Sequence, residues 1–223
     1  MKYILFDFNG TIINDVELSL EAINNTAKKY LHRDEISLEE YREVFTFPVK
    51  KYYERLGFDF NVLNWEECGR NWFDYYQKHK DKAKLHDGII ELLIKNHEKG
   101  YKNIVLSASK KDLLIEQLKE LEVYDYFDEV LGIDDIYASS KLPIGLEFIK
   151  DKNPKDCILI GDSEHDKSVA DGMGIESILV ANGHESKERL MKISKNVYSN
   201  IKEVELWELD NLKIYTSWLK EEI

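Results

Sequence analysis

Cysteine is nearly absent from this chain. There are two in 223 residues, Cys68 and Cys157, far apart and without a CxxC spacing. That excludes a disulfide framework and argues against a zinc site. Cys157 opens an apolar run and reads as a small buried hydrophobe. With three prolines there is no Pro-rich linker, and neither repeats nor low-complexity segments interrupt the chain. No apolar run approaches the ~20 residues needed to cross a bilayer. The opening stretch, MKYILFDFNG, soon meets Asp7, Asn9, Asn14 and Asp15. A secretory signal would need a longer apolar region and a small-residue cleavage site, so a cytoplasmic protein without a membrane partner is expected. Positive charge is in deficit, 31 basic against 43 acidic residues for a net charge of −12. Such a balance argues against a broad grip on a nucleic-acid backbone and suits a solvated surface. A small anionic substrate remains compatible with it, because one bound metal ion can dominate the field of a pocket.

Hydrophobic residues make up 43% of the chain, enough for a packed core. Five short runs rich in Ile, Val and Leu predict strands: Tyr3–Phe8, Asn103–Ala108, Glu129–Ile133, Cys157–Asp162 and Ser177–Asn182. Nearly continuous apolar character suits strands covered on both faces, as in a parallel sheet. Helical patterns lie between them at Asp87–Gly100, Asp112–Val123 and Lys167–Gly174. Strands alternating with helices imply βαβ units. Residues 16–84 differ, with no convincing strand. Helices are expected over Val16–Leu31, from a capping box at Ser37-Leu-Glu-Glu40, over Val49–Leu56 and over Trp65–His79. The aromatic residues Trp65, Trp72, Phe73, Tyr75 and Tyr76 read as the core of a helical bundle. The expected fold is therefore α/β: a doubly wound, mostly parallel, Rossmann-like sheet formed by residues 1–15 and 85–223, with an inserted α-helical cap at 16–84. Hinges are expected near residues 12–16 and 82–88. The tail, Tyr198–Ile223 with Trp207 and Trp218, reads as a terminal helix.

In an open parallel sheet the ligand crevice lies outside the carboxyl ends of the strands. Three predicted strands end there in polar residues: Asp7, Ser107 and Asp162. With Asp166 close behind, Asp7 and Asp162 make an all-oxygen carboxylate cluster of the kind that holds Mg²⁺ beside a substrate phosphate. An acid ending a buried apolar run is costly without a task. Gly10 frees the backbone for close approach of amides to a phosphate. Ser107 could donate to a phosphate oxygen, and a lysine could neutralise charge developing in the transition state. Lys141 is the candidate, with Lys110 and Lys111 as rivals. Asp166 has two readings that are compatible, metal support and helix cap. His165 is given no role.

Asp7-Phe-Asn-Gly-Thr11, Ser107, Lys141 and Gly161-Asp-Ser-Glu-His-Asp166 resemble, in order and spacing, the four motifs of the haloacid dehalogenase-like hydrolase superfamily. The helical stretch after the first motif is similar to the cap of its phosphoglycolate phosphatase-like members. The resemblance covers residues 1–200 or so and implies a phosphatase acting on a small phosphorylated metabolite. It implies that Asp7 is the nucleophile, forming an aspartyl-phosphate. Mg²⁺ would be held by Asp7, Asp162, the backbone carbonyl of Asn9 and Asp166. Ser107 and Lys141 would hold the phosphoryl group, with Phe8, Gly10, Thr11 and Ala108 completing the substrate loops. Lys141 departs from the pattern, being followed by Leu-Pro rather than directly by Pro.

A larger departure lies at Asn9, where phosphatases of the superfamily usually carry the aspartate that protonates the leaving group. An amide has no useful proton, and such help is typically worth ~10²–10⁴-fold in rate. The alternatives are a phosphatase for good leaving groups, a phosphonate-cleaving enzyme using an amine at Lys50 or Lys51, and a non-catalytic protein that senses a phosphorylated ligand.

Overall fold

The computed structural model describes residues 2–134, 140–204 and 206. Strand β1 (Tyr3–Phe6) is the centre of the molecule, and Ile4, Leu5 and Phe6 are wholly buried. Side chains alternate across a strand, so Ile4 and Phe6 join one hydrophobic cluster while Leu5 joins another on the opposite face. That two-sided burial is why the run reads as continuously apolar. A short ribbon strand, β2 (Ile13–Asn14), follows, and then four helices: α1 (Val16–Leu31), α2 (Leu38–Val44), α3 (Val49–Arg55) and α4 (Trp65–Lys78). The chain returns through β3 (Lys84–Leu85), antiparallel to β2 with Ile13 opposite Leu85 and Asn14 opposite Lys84.

Helices and strands then alternate: α5 (Ile89–Glu98), β4 (Lys102–Lys110), α6 (Lys111–Glu120), β5 (Glu129–Ile133), α7 (Leu142–Ile149), β6 (Cys157–Gly161), α8 (Glu164–Met173), β7 (Glu176–Val180), α9 (Lys187–Ile193) and β8 (Val197–Tyr198). The main sheet has six strands in the order β5-β4-β1-β6-β7-β8, and every pair is parallel. From β1 the chain builds outward through β4 and β5, then crosses back to build β6, β7 and β8 on the other side. The crevice at that reversal is where an open α/β sheet binds ligands.

The fold class is the expected α/β architecture with a helical insertion. Several details differ. Strand β8 is two residues long and half-buried, too short for a periodic signal. Helix α8 starts at Glu164, earlier than Lys167, because Ser163 and Asp166 form a full capping box ahead of it. At Ser37 only half of the expected box forms: Ser37 Oγ accepts from the Glu40 amide, but the Glu40 carboxylate turns to Arg33 instead. Residues 198–204 form a strand end and a 3-10 turn rather than helix. Trp207 and Trp218 lie outside the described residues.

The helical layer has its own cluster, around Ile23, Ala27, Tyr41, Tyr52 and Tyr53. Helix α1 serves both sides. Leu18 and Ala22, one turn apart, face the sheet's cluster, while Val16, Ile23 and Ala27 face the helical one.

One polar group is built into the sheet's core. Asn103 on β4, fully buried, donates from Nδ2 to the carbonyls of Leu93 (3.0 Å) and Tyr126 (3.1 Å) and accepts from Asn96 Nδ2 (2.8 Å). Leucine at this position would leave the Asn96 amide and the Tyr126 carbonyl without these partners and take a second donor from the Leu93 carbonyl, which keeps its place in the helix. Each such group costs about 1–3 kcal/mol. Asn103→Leu is expected to lower stability by about 3 kcal/mol or more in urea unfolding; a loss under about 1 kcal/mol would show that these bonds are replaceable.

Candidate active site

Asp7 follows β1 directly, its amide donating to the Ile160 carbonyl at 2.9 Å. Asp162 follows β6 at the same level. Ser107 lies where the β4–β5 register shifts, between Leu106 and Lys110. Such irregularities re-aim side chains at sheet ends. Ligand oxygens of Asp7, Asp162 and Asp166 lie within 4.8 Å of one another. Lys141, only 1% exposed, ion-pairs with both Asp7 and Asp166, the latter at 2.5 Å. Lys141 is therefore the lysine of the site. Lys110 lines the cavity above it, and Lys111 is exposed at the start of α6.

Each carboxylate is held. Asp162 accepts from Thr11 Oγ1 (3.2 Å) and from the His184 amide (2.6 Å). Asp166 accepts from the amides of Asp162 (3.2 Å) and Ser163 (3.1 Å) and from Ser163 Oγ (2.6 Å). Capping α8 and facing the site are thus one act of the same side chain. Burial, reinforced by Asp166 and Asp162, pushes the Asp7 carboxyl up to about 8 despite Lys141. Burial likewise pushes Asp162 up to about 7, with Asp166 adding to the rise. Burial would also raise Asp166, but the Lys141 charge wins and holds it below the usual range. Three crowded carboxylates facing one ammonium are short of positive charge. An all-oxygen donor set with that shortage suits a hard divalent cation.

A second network adjoins the first. Asn9 Nδ2 donates to Asp15 Oδ2 (2.8 Å) and to the Tyr76 hydroxyl (3.1 Å), while Asn9 Oδ1 accepts from Ser109 Oγ (3.0 Å). Tyr76 donates to Asp15 (2.8 Å), and His184 Nε2 lies 3.3 Å from Asp15 Oδ1. Burial would lower His184, but Asp15 outweighs it and raises the imidazole to about 9. Its Nδ1 is 2.8 Å from the Tyr41 hydroxyl of α2. Further along, Arg189 of α9 donates to the carbonyls of Arg42 (2.7 Å) and Phe45 (2.8 Å). These contacts tie the helical layer to the sheet beside the site.

Between the two lies a cavity of about 190 Å³. Asp7, Asn9, Ser107, Ala108, Lys141, Asp162 and Asp166 all line it. Phe8, Gly10 and Thr11 do not, contrary to expectation. Phe8 continues the inward alternation of Ile4 and Phe6 and buries its ring in the core. The Gly10 amide is already donated to Asp15 Oδ1 (2.9 Å), so it is committed rather than open to a phosphate. Its φ of +73° and the Asp162 carboxylate beside it still require glycine. Thr11 spends its hydroxyl on Asp162. Of the aromatic residues of α4, Trp65 and Trp72 pack against the helical cluster as expected, Tyr76 packs into the sheet's cluster instead, and Trp65, Trp72, Phe73 and Tyr76 also line this cavity. His165, given no role from sequence, stacks on Phe47 at 4.2 Å, and burial pushes it down to about 4.

The model of the haloacid dehalogenase-like hydrolase family matches residues 4–180. The chain belongs to the haloacid dehalogenase-like hydrolase family. It is similar to pyrophosphatase PpaX of Listeria innocua, 28% identical over 167 residues covering 73% of this chain and 75% of that protein. In structure it is similar to a protein solved as a predicted phosphoglycolate phosphatase of Haemophilus somnus, with a TM-score of 0.71 and 19% identity over 96% of this chain and 98% of that one. A further likeness is to CbbY of Rhodobacter sphaeroides, solved in complex with phosphate, with a TM-score of 0.69, 20% identity, and coverage of 91% and 96%. In this haloacid dehalogenase-like hydrolase Asp7, Ser107, Lys141, Asp162 and Asp166 lie together at the crevice. Sequence reasoning missed Asp15, Tyr41, Ser109 and His184, and it saw Tyr76 only as packing. No periodic pattern marks these positions; Asp15 falls within the expected hinge just after the first motif, and Ser109 lies two residues past Ser107.

Proposed function

We propose that this chain is a Mg²⁺-dependent phosphatase that cleaves a small phosphorylated metabolite through an aspartyl-phosphate on Asp7. The observation that carries the reading is Lys141, buried between Asp7 and Asp166 beside Asp162 on the floor of a cavity. Asp7, Asp162, the Asn9 carbonyl and Asp166, directly or through water, would hold the cation. When bound, Mg²⁺ would neutralise these carboxylates and stabilise charge on the phosphoryl oxygens. Asp7 attacks phosphorus and is regenerated when water attacks the aspartyl-phosphate, which splits one hard displacement into two easier ones. Lys141 and Ser107 hold the transferring group. Asn9 leaves the departing group without a donated proton.

Residues 16–84 act in this reading as a cap over a core of residues 1–15 and 85–223, with the β2–β3 ribbon as the connection. The Tyr41–His184 and Arg189 contacts support that arrangement by seating the helices over the site. Among the described residues no helix is long and apolar enough to cross a membrane. The phosphonate-cleaving alternative has less support: Lys50 and Lys51 are exposed, and neither lines the cavity. The sensing alternative predicts binding without turnover.

The test is phosphate release from p-nitrophenyl phosphate and acetyl phosphate. Turnover is expected with Mg²⁺, with a fall of at least about 10²-fold in EDTA that excess Mg²⁺ reverses. No release with Mg²⁺ from either compound would reject the phosphatase reading.

The cation site also depends on a close approach of backbone. A Cβ at Gly183 would run into the Asp162 carboxylate, which the next amide holds. Gly183→Ala is expected to weaken Mg²⁺ binding about 10–100-fold, as loss of a ligand's supporting contacts does. Calorimetric titration measures it, and unchanged affinity would mean that Asp162 is not a ligand.

A further inference from the structure

The cavity's walls narrow the substrate, and this inference rests on the phosphatase reading above. Phe47, Phe73 and Leu113 line the cavity, yet none of them belongs to a hydrophobic core cluster. All three are half-buried. Phe47 already packs on His165 and Phe45, but the surface that all three turn to the cavity is buried only when an apolar group fills the space.

Positive charge is sparse by comparison. Lys141 is engaged by Asp7 and Asp166 and the His184 imidazole by Asp15, which leaves Lys110 as the other cation on the walls, and no arginine lines them. A second phosphoryl group would meet aromatic rings where phosphate sites place arginine forks and clustered donors. Three polar atoms remain. The Tyr52 hydroxyl, the Gln117 amide nitrogen and His165 Nε2 are buried at the walls without hydrogen-bond partners. They suit polar substituents on an otherwise apolar group.

Asn9 argues independently against an alkyl ester, while leaving aryl esters and phosphoanhydrides open. It gives the leaving group no proton, so the leaving group must depart unaided. A phenol ionises near pH ~10, whereas an alkanol behaves more like water at ~15.7.

We propose that the substrate is an aryl phosphate, a phosphate monoester of the hydroxyl on an aromatic ring. The Asp7 oxygen bonds to phosphorus as the P–O bond to the ring breaks, and the electron pair leaves on the aryloxide. Water then attacks phosphorus, and the bond from Asp7 to phosphorus breaks back to the carboxylate. One proton of that water stays on inorganic phosphate and the other neutralises the aryloxide, giving the phenol.

Phenyl phosphate, cyclohexyl phosphate, inorganic pyrophosphate and acetyl phosphate separate the possibilities when kcat/KM is measured with Mg²⁺. Phenyl phosphate is expected to exceed cyclohexyl phosphate and pyrophosphate by at least about tenfold. Phe73→Ala is expected to lower the ratio of phenyl to acetyl phosphate kcat/KM by about tenfold. Phe73→Leu, which keeps most of the volume, should lower it less and serves if the alanine variant fails to fold. Pyrophosphate or cyclohexyl phosphate cleaved as well as phenyl phosphate would overturn the inference while leaving the phosphatase standing. So would a ratio unmoved in the folded variant. Release from none of the four compounds would overturn the phosphatase reading itself, and this inference with it.

Discussion

Asp7→Asn should abolish phosphate release, by at least about 10³-fold, while leaving the protein as stable as before or more so. The two halves of this expectation come from different physics. An amide oxygen is a poor nucleophile, so loss of the carboxylate removes the covalent step and not merely a contact. Stability follows the local charge. Asp7 is part-buried and faces Asp166 and Asp162; loss of solvent, with these two charges adding to it, pushes its carboxyl up to about 8. The neutral isostere removes that repulsion, and Lys141 keeps Asp166 as a partner. Steady-state phosphate assays and urea unfolding in EDTA read the two halves separately. Turnover within tenfold of the parent would sink Asp7 as nucleophile. A large stability loss would mean that its bond to Lys141 outweighs the crowding.

Lys141→Met should act the other way, losing both turnover and stability. Removing one partner of a buried pair typically costs about 3–5 kcal/mol, because the remaining charge stays buried without compensation. Here two carboxylates lose the same partner. Unfolding in EDTA should show a loss of that order, and Mg²⁺ should restore part of it by supplying positive charge to the same oxygens. Turnover should fall at least about 10²-fold even with Mg²⁺, because the donor to the transferring group is gone. An unchanged urea midpoint in EDTA would reject Lys141 as the counter-charge of this cluster.

The legible parts of this fold are those where burial imposes a local pattern. β1, β4, β5, β6 and β7 were readable because residues such as Ile4 and Leu5 are buried on opposite faces, leaving no polar alternation in the run. Asp7 and Asp162 were readable because they end such runs. α7 was not among the expected helices, and it carries Pro143 and Gly145. Pro143 sits in the first turn, where its missing N–H costs nothing. At Gly145 a Cβ would come within 2.6 Å of the Met173 sulfur, so glycine there answers a neighbouring helix and not a turn. The second network was illegible for a different reason. Tyr41 meets His184 across 143 positions of sequence, and Tyr76 meets Asp15 across 61. No local period encodes such pairs. The substitution at Asn9 was visible, but its anchoring by Asp15, Tyr76 and Ser109 became evident only from the packed structure.

The ribbon of β2 and β3 has a consequence for how such a protein can change over time. The chain leaves for the helices and comes back through two paired strands, so the ends of the excursion stay side by side whatever lies between them. Doubling the length of such an excursion adds only about 0.6 kcal/mol of closure entropy. A lineage could therefore trade one roof for another over an unaltered catalytic floor, and with it one diet of substrates for another. The new roof would inherit one obligation: to supply what Leu18, Ala22 and Tyr76 now press into the sheet's own cluster.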